Sequence, residues 1–182
     1  SECARQSYLN EYGIDSVVIP NIITTDKPIK ILRILSMTRL SVEKGYKRMC
    51  KLCDLFDKYN VPYIWDIYGT NPVGVKPYGN MILHNSIKRG NKLMTGYDYV
   101  CQLSDTESMC ITMYESLMQG VPVLVTPFPN AKEEIKDGVN GYILPFDMNI
   151  SEKDIYNIYQ KIPNKVSYEQ HGIEDLWKDI LK

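Results

Sequence analysis

Residues 97–126 read YDYVCQLSDTESMCITMYESLMQGVPVLVT, and the order of patterns within them decides the fold class. A strand pattern over 97–104 leads into a polar turn, then a helix pattern over 109–119 that stops at Gly120, then a strand pattern rich in β-branched residues over 122–126. Strand, helix and strand in that order make a β-α-β unit, whose two strands lie parallel in one sheet. The alternation continues on both sides of this stretch. Strands are predicted over 30–37, 63–68, 81–87 and 141–145, and helices over 45–59, 131–136, 151–161 and 168–181. A helix over 2–12, a short strand over 16–19 and a polar connector over 21–28 come first. The expected fold is α/β, a Rossmann-like, doubly wound parallel sheet with helices on both faces. Residues 69–80, GTNPVGVKPYGN, are too short and too rich in Gly and Pro for the usual crossover helix.

A chain of 182 residues is most simply one domain with a sizeable core, and 44% hydrophobic and 24% charged residues suit a soluble globular protein. The net charge is −1 with no Lys/Arg block, so neither a nucleic-acid footprint nor a polybasic membrane patch is indicated. No apolar run approaches the roughly 18 residues of a spanning helix, and the opening SECARQSYLNEYG lacks the pattern of a signal peptide. The five cysteines include one C-x-x-C, Cys50 and Cys53, inside a helix pattern that also buries Tyr46, Met49 and Phe56. A redox pair belongs at a helix N-terminus and a zinc site needs a second ligand pair, so packed free thiols in a reducing cytoplasm are expected.

Two carboxylates, Glu107 and Glu115, stand at the ends of the 109–119 helix pattern. Glu107 has two readings. Ser104 and Glu107 fit the capping box S-x-x-E; alternatively the helix starts near Ser108 and Glu107 lies in a loop facing a ligand. At about 100° per residue, Met113, Leu117, Cys110, Tyr114, Met118 and Ile111 form one broad apolar face, with Glu115 about 40° beyond Ile111 at its border. A carboxylate there is satisfied either by a partner inside the protein or by a ligand. A second cluster, Thr38-Arg39-Leu40-Ser41-Val42-Glu43-Lys44-Gly45, joins a strand end to the next helix. Arg39 and Lys44 near a helix N-terminus suit a diphosphate, although Glu43 could equally pair with Arg39. Neither a Walker A sequence nor G-x-G-x-x-G occurs. In open α/β sheets ligands bind beyond the carboxyl ends of the strands, where both clusters fall.

Taken together, Arg39…Glu43-Lys44-Gly45 and Ser104-x-x-Glu107…Glu115…Gly120-Val121-Pro122-Val123 resemble the C-terminal domain of the retaining, two-domain glycosyltransferases of family four. That family carries R-L-x-x-x-K-G and then S-x-x-E-G-F-G-x-x-x-x-E-A-x-x-x-G-x-P-V. Ile19-Pro20-Asn21, Tyr97-Asp98-Tyr99-Val100, Glu134-Ile135 and Asp137-Gly138-x-Asn140-Gly141-Tyr142 extend the resemblance over about residues 17–145. It implies one half of a GT-B type fold: two Rossmann-like domains with the active site between them, this half holding a nucleotide-diphosphate-sugar. By the same resemblance Arg39 and Lys44 bind the donor diphosphate, Glu107 the hydroxyls of the transferred sugar, and Glu115 the ribose. Ser108, Met109, Cys110 and Ile111 complete the donor site, with Arg39, Lys44 and Glu107 as the catalytic group. The implied reaction transfers a sugar with retention to a saccharide or lipid acceptor, in the cytoplasm, with no cofactor and no metal; consistently, the sequence has no D-x-D. His84 is expected to be a surface or supporting residue rather than a catalytic base.

The sequence departs from the family where G-F-G becomes Ser108-Met109-Cys110, where alanine becomes Ser116, and where Ile22 follows Asn21 in place of glycine. A side chain at Cys110 changes how closely backbone amides approach a donor. The expected division is an interdomain helix and connector over 1–28, a sheet core over 29–145 and C-terminal helices over 151–182. On this reading the chain is a fragment whose acceptor-binding domain, with any peripheral membrane association, lies elsewhere, and which binds donor without turning over alone. The helix bearing Leu176, Trp177 and Ile180 would pack against that absent domain. Rival readings are a nucleotide-sugar epimerase of the same architecture, a glycosyltransferase-like subunit that stabilises a catalytic partner, and a flavodoxin-like receiver. The receiver would need acidic residues where Arg39 and Lys44 stand.

Overall fold

In a computed structural model of the chain, residues 10, 29–88, 90–163 and 166 are described. The helix expected over 2–12, apart from helical Asn10, the strand over 16–19, the connector over 21–28 and the final helix over 168–181 lie outside the described residues. β1 (Leu32–Met37) buries Leu32, Ile34, Leu35 and Ser36. Burial on both faces is the mark of a central parallel strand. β2 (Tyr63–Tyr68), β3 (Met81–His84), β4 (Tyr99–Gln102), β5 (Val123–Val125) and β6 (Gly141–Ile143) complete a sheet ordered β3-β2-β1-β4-β5-β6, every pairing parallel. The doubly wound parallel sheet is therefore as expected. Most strands are shorter than predicted: β3 stops at His84 rather than residue 87, and β4 starts at Tyr99 rather than residue 97.

Helices cover both faces. α1 (Tyr46–Lys58) buries Met49, Leu52, Cys53 and Phe56, an i, i+3, i+4, i+7 stripe, in one core with Leu32, Ile34, Trp65 and Ile67. The buried stripe includes Leu52, whereas Tyr46 and Cys50, assigned to it from the sequence, lie at its border half-buried. The second core, on the other face, gathers α2 (Ile111–Met118) with Leu35, Val100, Val123, Val125 and Phe128. The short helix α3 (Pro129–Glu134) leads to β6, and α4 (Glu152–Gln160) starts on a Ser151 hydroxyl that accepts the Asp154 N–H at 3.2 Å. As predicted, no helix joins β2 to β3. Residues 69–80 instead lie against α1: Tyr78 donates to Asp54 Oδ1 at 2.6 Å, and the Tyr46 hydroxyl donates to the Lys76 carbonyl. Inside the sheet the Trp65 indole N–H donates to Ser36 Oγ at 3.0 Å, and Ser36 donates to the Cys101 carbonyl at 2.7 Å, so three neighbouring strands share one buried polar chain. No helix among the described residues is long and apolar enough to cross a membrane.

Candidate active site

The strand order reverses between β1 and β4, which pair at Ile34 with Tyr99 and at Leu35 with Val100. Such a reversal opens a crevice above the carboxyl ends of the two strands, because their loops leave in opposite directions. The loop over 38–45 leaves β1 there and the loop over 103–110 leaves β4. Both clusters singled out from the sequence therefore share one rim.

The first loop is held from the β2 side. Thr38 N–H donates to the Tyr68 carbonyl at 2.9 Å and Leu40 N–H to the Thr70 carbonyl at 2.8 Å, while the Leu40 side chain is buried. A one-turn 3-10 helix, Val42–Lys44, then ends at Gly45 with φ 78°. A Cβ on Gly45 would stand 1.9 Å from the Leu103 carbonyl oxygen, so only glycine lets the first loop press against the root of the second. Across this contact Asp105 N–H donates to the Glu43 carbonyl at 2.8 Å, and Arg48 donates from Nε to the Leu103 carbonyl at 2.8 Å while pairing with Asp105. The two loops are thus joined by backbone and side-chain contacts.

Lys44 Nζ lies 2.7 Å from Glu107 Oε1, and Ser104 Oγ donates to the same oxygen at 2.6 Å. Both partners address Oε1, so Oε2 has no partner among the described residues. The capping-box alternative is excluded: α2 begins at Ile111, its N-cap is Cys110 without a side-chain cap bond, and Glu107 sits in the loop. The helix starts two residues later than its apolar pattern. The backbone amides of Ser108, Met109, Cys110 and Thr112 make no hydrogen bond to the described residues, and with the helix N-terminus they offer donors to an anion.

Arg39 donates to Glu43 Oε1 at 2.7 Å, as does the Ser41 hydroxyl at 2.7 Å. The Ser41 bond first, then the backbone amide of Glu43 and Arg39, holds the Glu43 carboxyl at about 2. Glu115 projects from α2 half-buried, and its side chain has no polar partner among the described residues. The helix face differs here from its sequence reading. Met113, Ser116 and Leu117 are buried, whereas Ile111 and Met118 are 62% and 58% exposed and flank Glu115 on the open side. Glu115 thus lies at the border of the buried face, as expected, but between two exposed residues. Cys110 is buried and its thiol is pushed up to about 11, chiefly by burial, with Glu107 adding and Lys44 opposing. It stays a neutral thiol at physiological pH.

His84 anchors a cluster that sequence reasoning missed. Its Nε2 lies 2.6 Å from Asp66 Oδ1, the Tyr97 hydroxyl donates to Asp66 Oδ2 at 3.0 Å, and Tyr68 stacks on the imidazole at 4.3 Å. The available signal was Asp66 itself, a lone acid within the apolar strand YIWDIY. A depression of about 380 Å³ above β2 and β3, lined by Leu40, Thr70, Asn71, His84, Asn85 and Ser86, adjoins the Arg39 loop through Leu40. Among the described residues no group of three or more His, Cys, Asp or Glu side chains is placed to hold a metal.

Comparison with known proteins gives these features a context. No curated protein sequence matches the chain. Among solved structures, a mutant of Staphylococcus aureus TarM in complex with fondaparinux, α-GlcNAc-glycerol and UDP matches all of this chain and 42% of its own, at 19% identity and TM-score 0.61. The Anabaena protein HepE in complex with UDP and glucose matches 74% of this chain and 39% of its own, at 20% identity and TM-score 0.58. The pneumococcal O-GlcNAc transferase GtfA in complex with UDP and GlcNAc matches 88% and 35%, at 19% identity and TM-score 0.54. The chain spans about two fifths of the length of these structures. Their identities are low, so the likeness is one of fold, a Rossmann-like half of GT-B type. A family model described as glycosyl transferases group 1 matches residues 25–155, and the chain belongs to that family.

Proposed function

We propose that the crevice between β1 and β4 is the donor site of a retaining glycosyltransferase and that this chain is the donor-binding half. The observation that carries the reading is the Lys44–Glu107–Ser104 contact, which puts a cation and a carboxylate with one open oxygen on a single rim. The diphosphate lies against Lys44, Arg39 and the open amides before α2. The vicinal hydroxyls of the transferred sugar donate to Glu107 Oε2, since an ionised carboxylate only accepts. Glu115, about one turn into α2, takes the ribose hydroxyls. As the glycosidic bond breaks, negative charge gathers on the diphosphate, and Arg39, Lys44 and the helix N-terminus stabilise it. Ser108, Met109, Cys110 and Ile111 line this site through their backbone. Transfer to a saccharide or lipid acceptor, in the cytoplasm, needs an acceptor-binding domain facing the crevice, so the donor-binding half by itself binds donor without turnover.

The test is calorimetric titration with UDP, GDP and ADP, with and without EDTA. One nucleotide should bind independently of metal, and Lys44→Ala should weaken it about tenfold or more, as expected for a lost charge-assisted hydrogen bond of roughly 1.5–3 kcal/mol. Absence of binding by all three, or binding indifferent to Lys44→Ala, contradicts the reading and favours an accessory subunit.

A further inference from the structure

We propose that Glu43 is an internal competitor for Arg39, so that an anionic ligand gains the guanidinium only by displacing the Glu43 carboxylate. The proposal rests on the donor-site reading for where the diphosphate lies, and goes beyond it by assigning a role to a residue that reading leaves out. Among the described residues three ion pairs involve these two loops, and they differ in burial. In Lys44–Glu107 the side chains are 25% and 15% exposed and the pair crosses between the loops, while in Arg48–Asp105 they are 15% and 50% exposed and the pair ties α1 to the second loop. Arg39–Glu43 lies within one loop, with side chains 58% and 48% exposed. Water screens such a pair, so it exchanges readily for a more highly charged partner.

The geometry favours exchange rather than a lock. Arg39 spends a single N–H on Glu43, leaving the rest of its planar fork available. Glu43 does not depend on Arg39 for its position. Its Oε1 also accepts from Ser41, and its carbonyl accepts the Asp105 N–H, which ties its backbone to the glutamate loop. The carboxylate therefore waits in place beside the cation when no ligand is bound. Because its carboxyl is held down to about 2, it stays ionised at any working pH and the competition is not relieved by protonation.

The experiment is calorimetric titration of the whole chain with inorganic pyrophosphate, in wild type, Glu43→Gln, Arg39→Ala, the double variant and Lys44→Ala. Glu43→Gln should tighten binding about threefold to fivefold, the scale of an exposed ion pair. In the Arg39→Ala background the same change should alter affinity by less than about twofold, because the two effects share one interaction. Ser41→Ala should give a smaller gain of the same sign. Weaker or unchanged affinity in Glu43→Gln, with binding still lost in Lys44→Ala, overturns this proposal alone. So does an equal gain in both backgrounds, which reduces Glu43 to net charge. Pyrophosphate failing to bind wild type and Glu43→Gln alike overturns the donor-site reading and this proposal with it.

Discussion

Ser104 and Lys44 converge on one oxygen of Glu107, and Ser41 and Arg39 on one oxygen of Glu43. At this scale the fold depends on small groups in constrained places. Ser36 is the clearest, buried between an indole donor and a carbonyl acceptor. Ser36→Ala leaves the Trp65 N–H unpaired in a dry sheet, and should cost about 1–3 kcal/mol in a urea unfolding titration. Gly45→Ala has two faults, a left-handed φ and a Cβ against Leu103. It should cost at least about 2 kcal/mol, lowering the melting temperature by roughly 4–8 °C; an unchanged melting temperature would show that the two loops do not press together there. The sequence marked Arg39, Lys44, Glu107 and Glu115 by type and spacing. It offered the Arg39–Glu43 pair as one alternative, and the structure forms it; it could not say which carboxylate oxygen is occupied, because that is a rotamer fact set by Ser41 and Ser104.

Helix α2 shows where periodicity misleads. Its residues are apolar most of the way round, so the pattern gave no sharp boundary, and Ile111 and Met118 read as core. The sheet fixes the outcome: Met113, Ser116 and Leu117 face β4 and β5, and the opposite stripe is left beside Glu115. Met113→Ala should therefore destabilise by about 2–5 kcal/mol. Met118→Ala, on an equally apolar residue, should stay within about 0.5 kcal/mol. Equal losses in urea titrations of the two variants would place the helix face wrongly. Strand identity was legible throughout because β-branched runs between glycines and prolines have little alternative. Strand ends were not: Ile87 beyond β3 and Tyr97 before β4 are residue types that suit a strand, yet both lie outside the paired segments.

Across the whole molecule the order of elements carried the parallel sheet, because a β-α-β crossover leaves few topologies. It did not carry the Asp66–His84–Tyr97 cluster, which joins β2, β3 and the turn before β4 across 31 positions or fewer. Burial sets a global pH response. Cys53 and Cys110 are pushed from 9.0 to about 12 and about 11, mainly by desolvation, and Cys101 is raised too. Raised values mean that the folded state keeps protons the unfolded chain gives up. Stability is thus full below about pH 9 and falls as pH climbs from there through 11 to 12, a loss readable as a declining urea midpoint. A midpoint constant over that interval would mean these thiols titrate as if exposed. The claim on which function turns is that the β1 and β4 loops form a single site, and amide chemical shifts of ¹⁵N-labelled chain report on it residue by residue. Added nucleoside diphosphate should move Lys44, Gly45, Ser108, Met109, Cys110, Thr112 and Glu115 together, all fitting one dissociation constant. Shifts confined to one loop, or centred on another part of the sheet, would contradict it.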